Sequence, residues 1–140
     1  MFNEKMTVYN HTETEGKEVW QRTVVDHIMW RHGKKHTEIV QGVMTSTTVE
    51  SVTVDFERGR NADYLTPAQF ERCEDKAAHW TLDAESNMDI LVLGECEAEI
   101  SGDYTVSRLL KDYKGNCGTV KSVADSRNMP MLQHIRVVLQ

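Results

Sequence analysis

A chain of 140 residues with 39% hydrophobic and 27% charged content has room for one domain, which at this size buries roughly two-thirds of the surface its unfolded form exposes. Its formal net charge is −6, with 16 lysines and arginines scattered among 22 acidic residues. That balance argues against binding nucleic acid by phosphate neutralisation, which draws its affinity from clustered cations that release counterions.

The predicted elements begin with two β-like runs, Met6–Asn10 and Val19–Val25, which flank a polar turn from His11 to Lys17. Together they read as a long hairpin. Asp26–His32 is again extended in character and ends in a Gly33-Lys34-Lys35 turn; with Arg31 this is the densest basic group, and it reads as solvated. In the Thr/Val-rich stretch Thr45–Phe56, Val52, Val54 and Phe56 alternate with Ser51, Thr53 and Asp55. Such alternation sets one strand face on a core and the other in water, and branched side chains suit a pleated surface. Glu57–Asp63, which contains Gly59 and two arginines, reads as an exposed loop.

Thr66-Pro67-Ala68-Gln69 carries a helix start: a hydroxyl to cap a free N–H, proline at the first helical position, and glutamine to complete a capping box. A short helix over about Pro67–Asp75 is expected, with Phe70 inward. His79–Leu82 and Met88–Leu93 read as strands on either side of a polar turn, Asp83–Asn87. Glu95, Glu97 and Glu99 alternate with Cys96, Ala98 and Ile100, as on a strand with an acidic outer face. Val106, Leu109, Leu110 and Tyr113 stand at helical spacing before a stop at Gly115. Gly118–Val123 and His134–Leu139 read as a closing pair of strands. With about seven or eight short strands, two short helices and frequent turns, the pattern predicts a mainly β fold, a small β-barrel or sandwich, as one domain over residues 1–140.

No catalytic signature accompanies this pattern. His32 and His36 are spaced i, i+4, but Gly33 lies between them, no Glu follows His32, and no third ligand is near, so no metal is expected. His27 and His79 read as packed or partly exposed strand residues beside Trp30 and Trp80 rather than as catalytic bases. The wide spacing of Cys73, Cys96 and Cys117 supports neither a redox motif nor a zinc site, and no glycine-rich elbow marks a nucleophile. Trp20, Trp30 and Trp80 are expected in the core rather than on a ligand platform. The longest apolar run, Ile90–Leu93, is far short of the ~20 residues of a spanning helix. The start Met1-Phe-Asn-Glu-Lys5 lacks the basic and apolar regions of a signal peptide. Synthesis in the cytoplasm and free thiols are the expectation.

Several segments, in order, resemble a family of small proteins encoded in the head-to-tail module of tailed bacteriophages, mainly of Gram-positive hosts. The matching features are Thr7-Val-Tyr-Asn10, Trp20-Gln-Arg-Thr-Val24 leading to Trp30, Tyr64-Leu-Thr-Pro67 with Phe70, and Trp80-Thr-Leu82. Asp89-Ile-Leu-Val92 with Gly94, Leu109-Leu-Lys-Asp-Tyr113, Val120-Lys-Ser-Val123, Asp125-Ser-Arg127 and His134-Ile-Arg-Val137 complete the series. Two positions depart from the pattern: Ile135 stands where an aromatic is expected, and the Glu13–Lys17 turn lacks Asp-Gly character.

The resemblance implies a structural virion protein of the head-tail connector, of the head-completion or stopper type. Such a protein has no enzymatic activity and no cofactor or metal. It forms a sixfold or twelvefold homo-oligomeric ring between portal or adaptor proteins on the head side and a tail-terminator or tail-tube protein on the other. Genomic DNA passes through without specific binding, which an acidic lumen favours by repelling phosphates. The stretches Gly33–Thr47 and Glu57–Asp63 are expected to be loops that reach the lumen or neighbouring subunits. Their candidate contact residues are Gly33, Lys34, Lys35, Gly42, Thr45, Ser46, Arg58, Gly59 and Arg60. Tail completion and capsid decoration are the alternative virion roles, and an oligonucleotide-binding barrel or a small Cys/His hydrolase the alternatives of other classes.

Overall fold

The computed structural model describes residues 3–33, 35–57, 63–85 and 89–140. β1 (Glu4–Thr14) and β2 (Lys17–Arg31) form the long hairpin that the sequence predicts. They meet at Glu15-Gly16, both at positive φ (53° and 78°). This is the backbone signature of a two-residue type I′ turn, whose twist matches that of the paired strands. Asp26–Arg31 is not a separate strand but the second half of β2. Between the pairs Met6↔Val25 and Glu4↔Ile28 the register shifts, and His27 sits there at φ 56°. A bulge of this kind bends a strand and raises its twist, so β2 leaves β1 and pairs onward with β5 (Glu50–Asp55).

The remaining elements are β3 (Lys35–Val40), β4 (Val43–Thr48), α1 (Pro67–Arg72), a single 3-10 turn (Lys76–Ala78), β6 (Ile90–Leu93), α2 (Val106–Asp112), β7 (Cys117–Asp125) and β8 (His134–Leu139). Among the described residues six strands close a barrel in the order β1-β2-β5-β8-β7-β6, and β6 returns to β1. Every neighbouring pair is antiparallel. Closure removes the unpaired edges through which open sheets stick to one another. β3 and β4 stand outside this barrel as a two-stranded sheet of their own.

The alternation read in the sequence decides which side chains fill the barrel. Met6 and Val8 of β1, Val52 and Val54 of β5, Leu91 of β6 and Ile135, Val137 and Leu139 of β8 point into one buried cluster with Trp30 and Trp80. Full burial of a large apolar side chain contributes about 1.5–3 kcal/mol, so this interior is the main source of stability. The opposite phase of the same strands, Tyr9, Ile90 and Val92, forms a second cluster with Cys96, and Leu109 of α2 covers it. Two of the three tryptophans are thus core residues as expected; Trp20 is half-buried and lies against His11, ring centroids 4.8 Å apart.

Both helices start as their sequences dictate. The Thr66 Oγ1 accepts from the Gln69 N–H (3.3 Å), and the Gln69 side chain accepts from the Thr66 N–H (3.1 Å), which is the predicted capping box; Phe70 is buried. α1 ends at Arg72, earlier than expected, and the Lys76 ammonium donates to the Glu71 and Cys73 carbonyls near its end. α2 is capped by Thr105, whose hydroxyl accepts from the Arg108 N–H.

Three strand expectations are corrected. His79–Leu82 makes only a single parallel bridge, Tyr64↔Trp80, because the Thr81 carbonyl is taken by the Asn10 side-chain amide (2.6 Å) rather than by a neighbouring strand. Glu95–Ile100 is irregular. Gly94 turns the chain away from β6 at φ 86°. After it the Cys96 N–H donates to the Thr7 hydroxyl (2.7 Å), and the Ala98 carbonyl accepts from the Tyr9 hydroxyl (2.6 Å). The Thr45–Phe56 stretch divides: its first part belongs to β4 and its second to β5.

Candidate functional site

Gly33–Thr47, expected as a polar loop, is instead the root and most of a β-hairpin arm. β3 and β4 pair from Lys35↔Thr48 to Val40↔Val43 around Gln41-Gly42, which again have positive φ (50° and 82°). No alternation of apolar and polar residues marks Lys35–Val40 or Val43–Thr48 as strands in the sequence. Ile39, Val40, Val43 and Met44, next to the turn, are 55–70% exposed.

The root of the arm is tightly built. A Cβ placed on Gly33 would lie 1.3 Å from the Val49 carbonyl oxygen, so no residue with a side chain fits there. The Glu50 carboxylate, itself mostly buried, accepts from the Trp30 indole N–H (2.9 Å) and lies 3.0 Å from His32 Nδ1. The Glu4 carboxylate accepts from the Trp30 backbone N–H. The last turn of β2 and the first residue of β5 are thereby fastened to each other and to β1, on either side of the arm.

Strand direction locates the arm at one pole of the barrel. β2 ends and β5 begins at Arg31↔Ser51, and β8 ends beside them at Glu50↔Leu139. The opposite pole carries Asp55↔His134 and Asp125↔Ile135, and there residues 126–133 join β7 to β8. In this far-pole loop Met129, Met131 and Leu132 are 47–71% exposed. Leu132 has φ 56°, a left-handed conformation that costs a residue with a Cβ about 1–2 kcal/mol. The Glu57 carboxylate holds it by accepting from the Leu132 N–H (2.8 Å). At the loop's base the Arg127 guanidinium makes a two-pronged pair with Asp125 (2.7–3.0 Å) and lies over the Tyr64 and Phe56 rings. That guanidinium holds the Asp125 carboxyl below the usual range. The loop is braced in a strained shape that turns its apolar side chains outward.

The two segments share a sequence signal that strand and motif reading passes over. Ile39–Val49 is the longest run in the chain without Asp, Glu, Lys or Arg, and Asn128–Ile135 is the next longest. Of nine large hydrophobic side chains exposed among the described residues, eight lie in these two runs; Val19 is the other.

The chemistry-bearing groups elsewhere serve the fold. A cleft of about 510 Å³ is lined by His11, Phe70, Lys76, Thr81, Asp83 and Asp89, among others. At its floor the buried Asp89 carboxylate accepts from the Asn10 side chain (3.1 Å) and from the backbone N–H groups of Asp83 (2.9 Å) and His11 (3.0 Å). Burial pushes its pKa up to about 6 against the pull of those three donors. Two of these bonds tie Asp89 to Asn10 and His11 of β1 and the third ties it to Asp83, which is the work of a staple rather than of a free base. Among the described residues no group of three or more His, Cys, Asp and Glu side chains is placed to hold a metal. His27 Nδ1 lies 3.1 Å from Asp26, and His79 Nδ1 lies 3.2 Å from the Asp63 carbonyl.

The predicted contact residues therefore separate. Gly33 is the root of the arm, Gly42 its turn, and Lys35, Thr45 and Ser46 lie on its two strands, opposite Thr48, Glu38 and Thr37. Lys34, Arg58, Gly59 and Arg60 lie outside the described residues. A loop between the two closing strands and a contact role for Gly33–Thr47 are expected from the sequence; the exposed apolar side chains of Ile39, Val40, Val43 and Met44 and of Met129, Met131 and Leu132 are not among the predicted contact residues.

With this geometry in view, the chain belongs to the family described as "Family of unknown function (DUF6751)", which it matches over residues 1–139. No curated protein and no solved structure matches it.

Proposed function

We propose that the chain is a non-enzymatic structural subunit of a phage head-tail connector, a head-completion or stopper protein that forms a homo-oligomeric ring around the DNA channel of the virion. One observation carries this reading. Among the described residues the barrel strands bury most of their large apolar side chains, while eight of the nine exposed ones gather in two charge-free runs, Ile39–Val49 in the hairpin arm and Asn128–Ile135 in the braced loop. Exposed apolar surface concentrated in this way marks contact with other macromolecules. A frame with closed edges and two outward contact elements suits an assembly unit.

The charge supports the channel part of the reading. At −6, a ring of such subunits repels phosphates at short range and lets a duplex slide. The ordered resemblance from Thr7 to Val137 supports the place in the virion. Portal or adaptor proteins above and a tail-terminator or tail-tube protein below are the partners this reading implies.

The test is cryo-electron microscopy of virions whose genome encodes this chain, with the copies located and counted. Density for the barrel in a ring on the head-tail axis is the expected result. Barrels distributed over the capsid lattice, or an axial neck that lacks this chain, would overturn the connector role.

A further inference from the structure

We propose that the arm of one subunit seats on the far-pole loop of the next, so that copies of this chain associate head to tail through Ile39, Val40, Val43 and Met44 on one side and Met129, Met131 and Leu132 on the other. The inference rests on the reading of the chain as a ring subunit and specifies which surfaces make the contact.

Charge selects a second copy as the occupant. Two molecules of net charge −6 repel unless they meet where charge is absent, and the two longest charge-free runs of the chain are these segments. Their chemistry matches, since each presents branched aliphatic or thioether side chains that lose water on contact. Position selects the geometry. The arm leaves the barrel at the Arg31↔Ser51 pole and the loop at the Asp55↔His134 pole, so one copy's arm is remote from its own loop. Two different, complementary patches at opposite poles make a heterologous contact, which closes into a ring when the rotation between copies closes and otherwise runs on as a filament. A self-complementary pair would need only one patch.

Area sets the strength. A tip of four side chains is much smaller than the ~800 Å² per partner of a stable two-body interface. A single arm–loop contact is therefore weak, and a closed ring, in which every copy makes two contacts, holds together cooperatively.

The test uses two full-length variants, Val43→Glu and Met131→Lys, at positions 61% and 70% exposed, each checked for an unchanged thermal transition. Mass is followed by sedimentation against concentration. The wild-type chain is expected to associate, and each variant alone to remain monomeric, because an acidic tip meets an apolar loop or an apolar tip meets a basic loop. A 1:1 mixture is expected to regain assembly, because alternating copies pair acidic tip with basic loop and leave the other junction as in the wild type. A wild-type chain that stays monomeric at every concentration, a Met131→Lys variant that assembles alone, or a mixture that fails to recover would each overturn the contact. Should either variant unfold, Gln41→p-benzoylphenylalanine in a mixture of isotopically heavy and light chains replaces it. Cross-links between copies are expected in residues 128–133, and cross-links from tip to tip would refute the proposal. Restored mixtures with barrels on the capsid lattice would remove the connector role and keep the contact; an axial ring with unrestored mixtures would do the reverse.

Discussion

Two hairpins in this chain turn on the same device and end in opposite chemistry. β1–β2 reverses at Glu15-Gly16 and β3–β4 at Gln41-Gly42, each pair at positive φ. The first hairpin is built into the barrel wall, pairing with β5 on one side and β6 on the other, and its turn is flanked by Glu13, Lys17 and Glu18. The second pairs with nothing else in the barrel and is flanked by Ile39, Val40, Val43 and Met44. Where the fold itself covers the apolar face of a hairpin, the tip is charged and solvated. Where the fold leaves the hairpin uncovered, the tip is apolar. The turn supplies shape in both, and the residues beside it decide whether that shape serves folding or contact.

The largest effect belongs to the barrel side of that contrast. Trp80→Ala empties the centre of the main cluster and is expected to cost about 3–5 kcal/mol, seen as a much lower denaturation midpoint; no substitution at the arm tip should approach it. Next comes the staple. Asp89→Asn removes a carboxylate that accepts from three donors and is expected to cost about 1–3 kcal/mol. It also changes the pH dependence. An unfolded aspartate ionises near ~4 and the buried one near 6. Over that interval the folded chain holds a proton the unfolded chain has released, so this group's contribution to stability falls as pH rises. Denaturant titrations from pH 4 to 6 should show that fall in the wild type and its loss in the variant.

A smaller pair of substitutions sets the two hairpins directly against each other. Gly16→Ala and Gly42→Ala place the same Cβ on the same left-handed backbone, at a local cost of about 1–2 kcal/mol each. The first is expected to lower the global transition by that amount, because its turn organises the barrel wall. The second should leave the global transition in place and speed amide exchange only in β3 and β4. Equal shifts in both would mean that the arm folds as part of the barrel.

Legibility followed the locality of the physics. The β1–β2 hairpin, the capping box of α1, the spacing of α2 and the closing strands β7 and β8 are encoded within a few residues of themselves, and each formed where predicted, with boundaries moved by a few positions. His79–Leu82 and Glu95–Ile100 alternate like strands, yet their backbone groups bond to Asn10, Thr7 and Tyr9, some seventy to ninety residues away. No local pattern reveals that competition. The arm failed for the opposite reason: no alternation of apolar and polar residues runs along its strands, and its lysines, threonines and glycines resemble a loop. Its apolar tip was legible only as an absence of charge, and the far-pole loop in the same way.

The division of labour between barrel and arm is tested most directly by one variant, in which Ile39, Val40, Val43 and Met44 are all replaced by Ser. Its mass by sedimentation and its thermal transition are measured side by side with those of the wild type. Substitutions at exposed positions away from packing features shift stability by about 0.5 kcal/mol or less each, so the expected result is an intact barrel transition together with complete loss of assembly. A variant that assembles as the wild type does, or one whose barrel unfolds with the arm, would contradict the account.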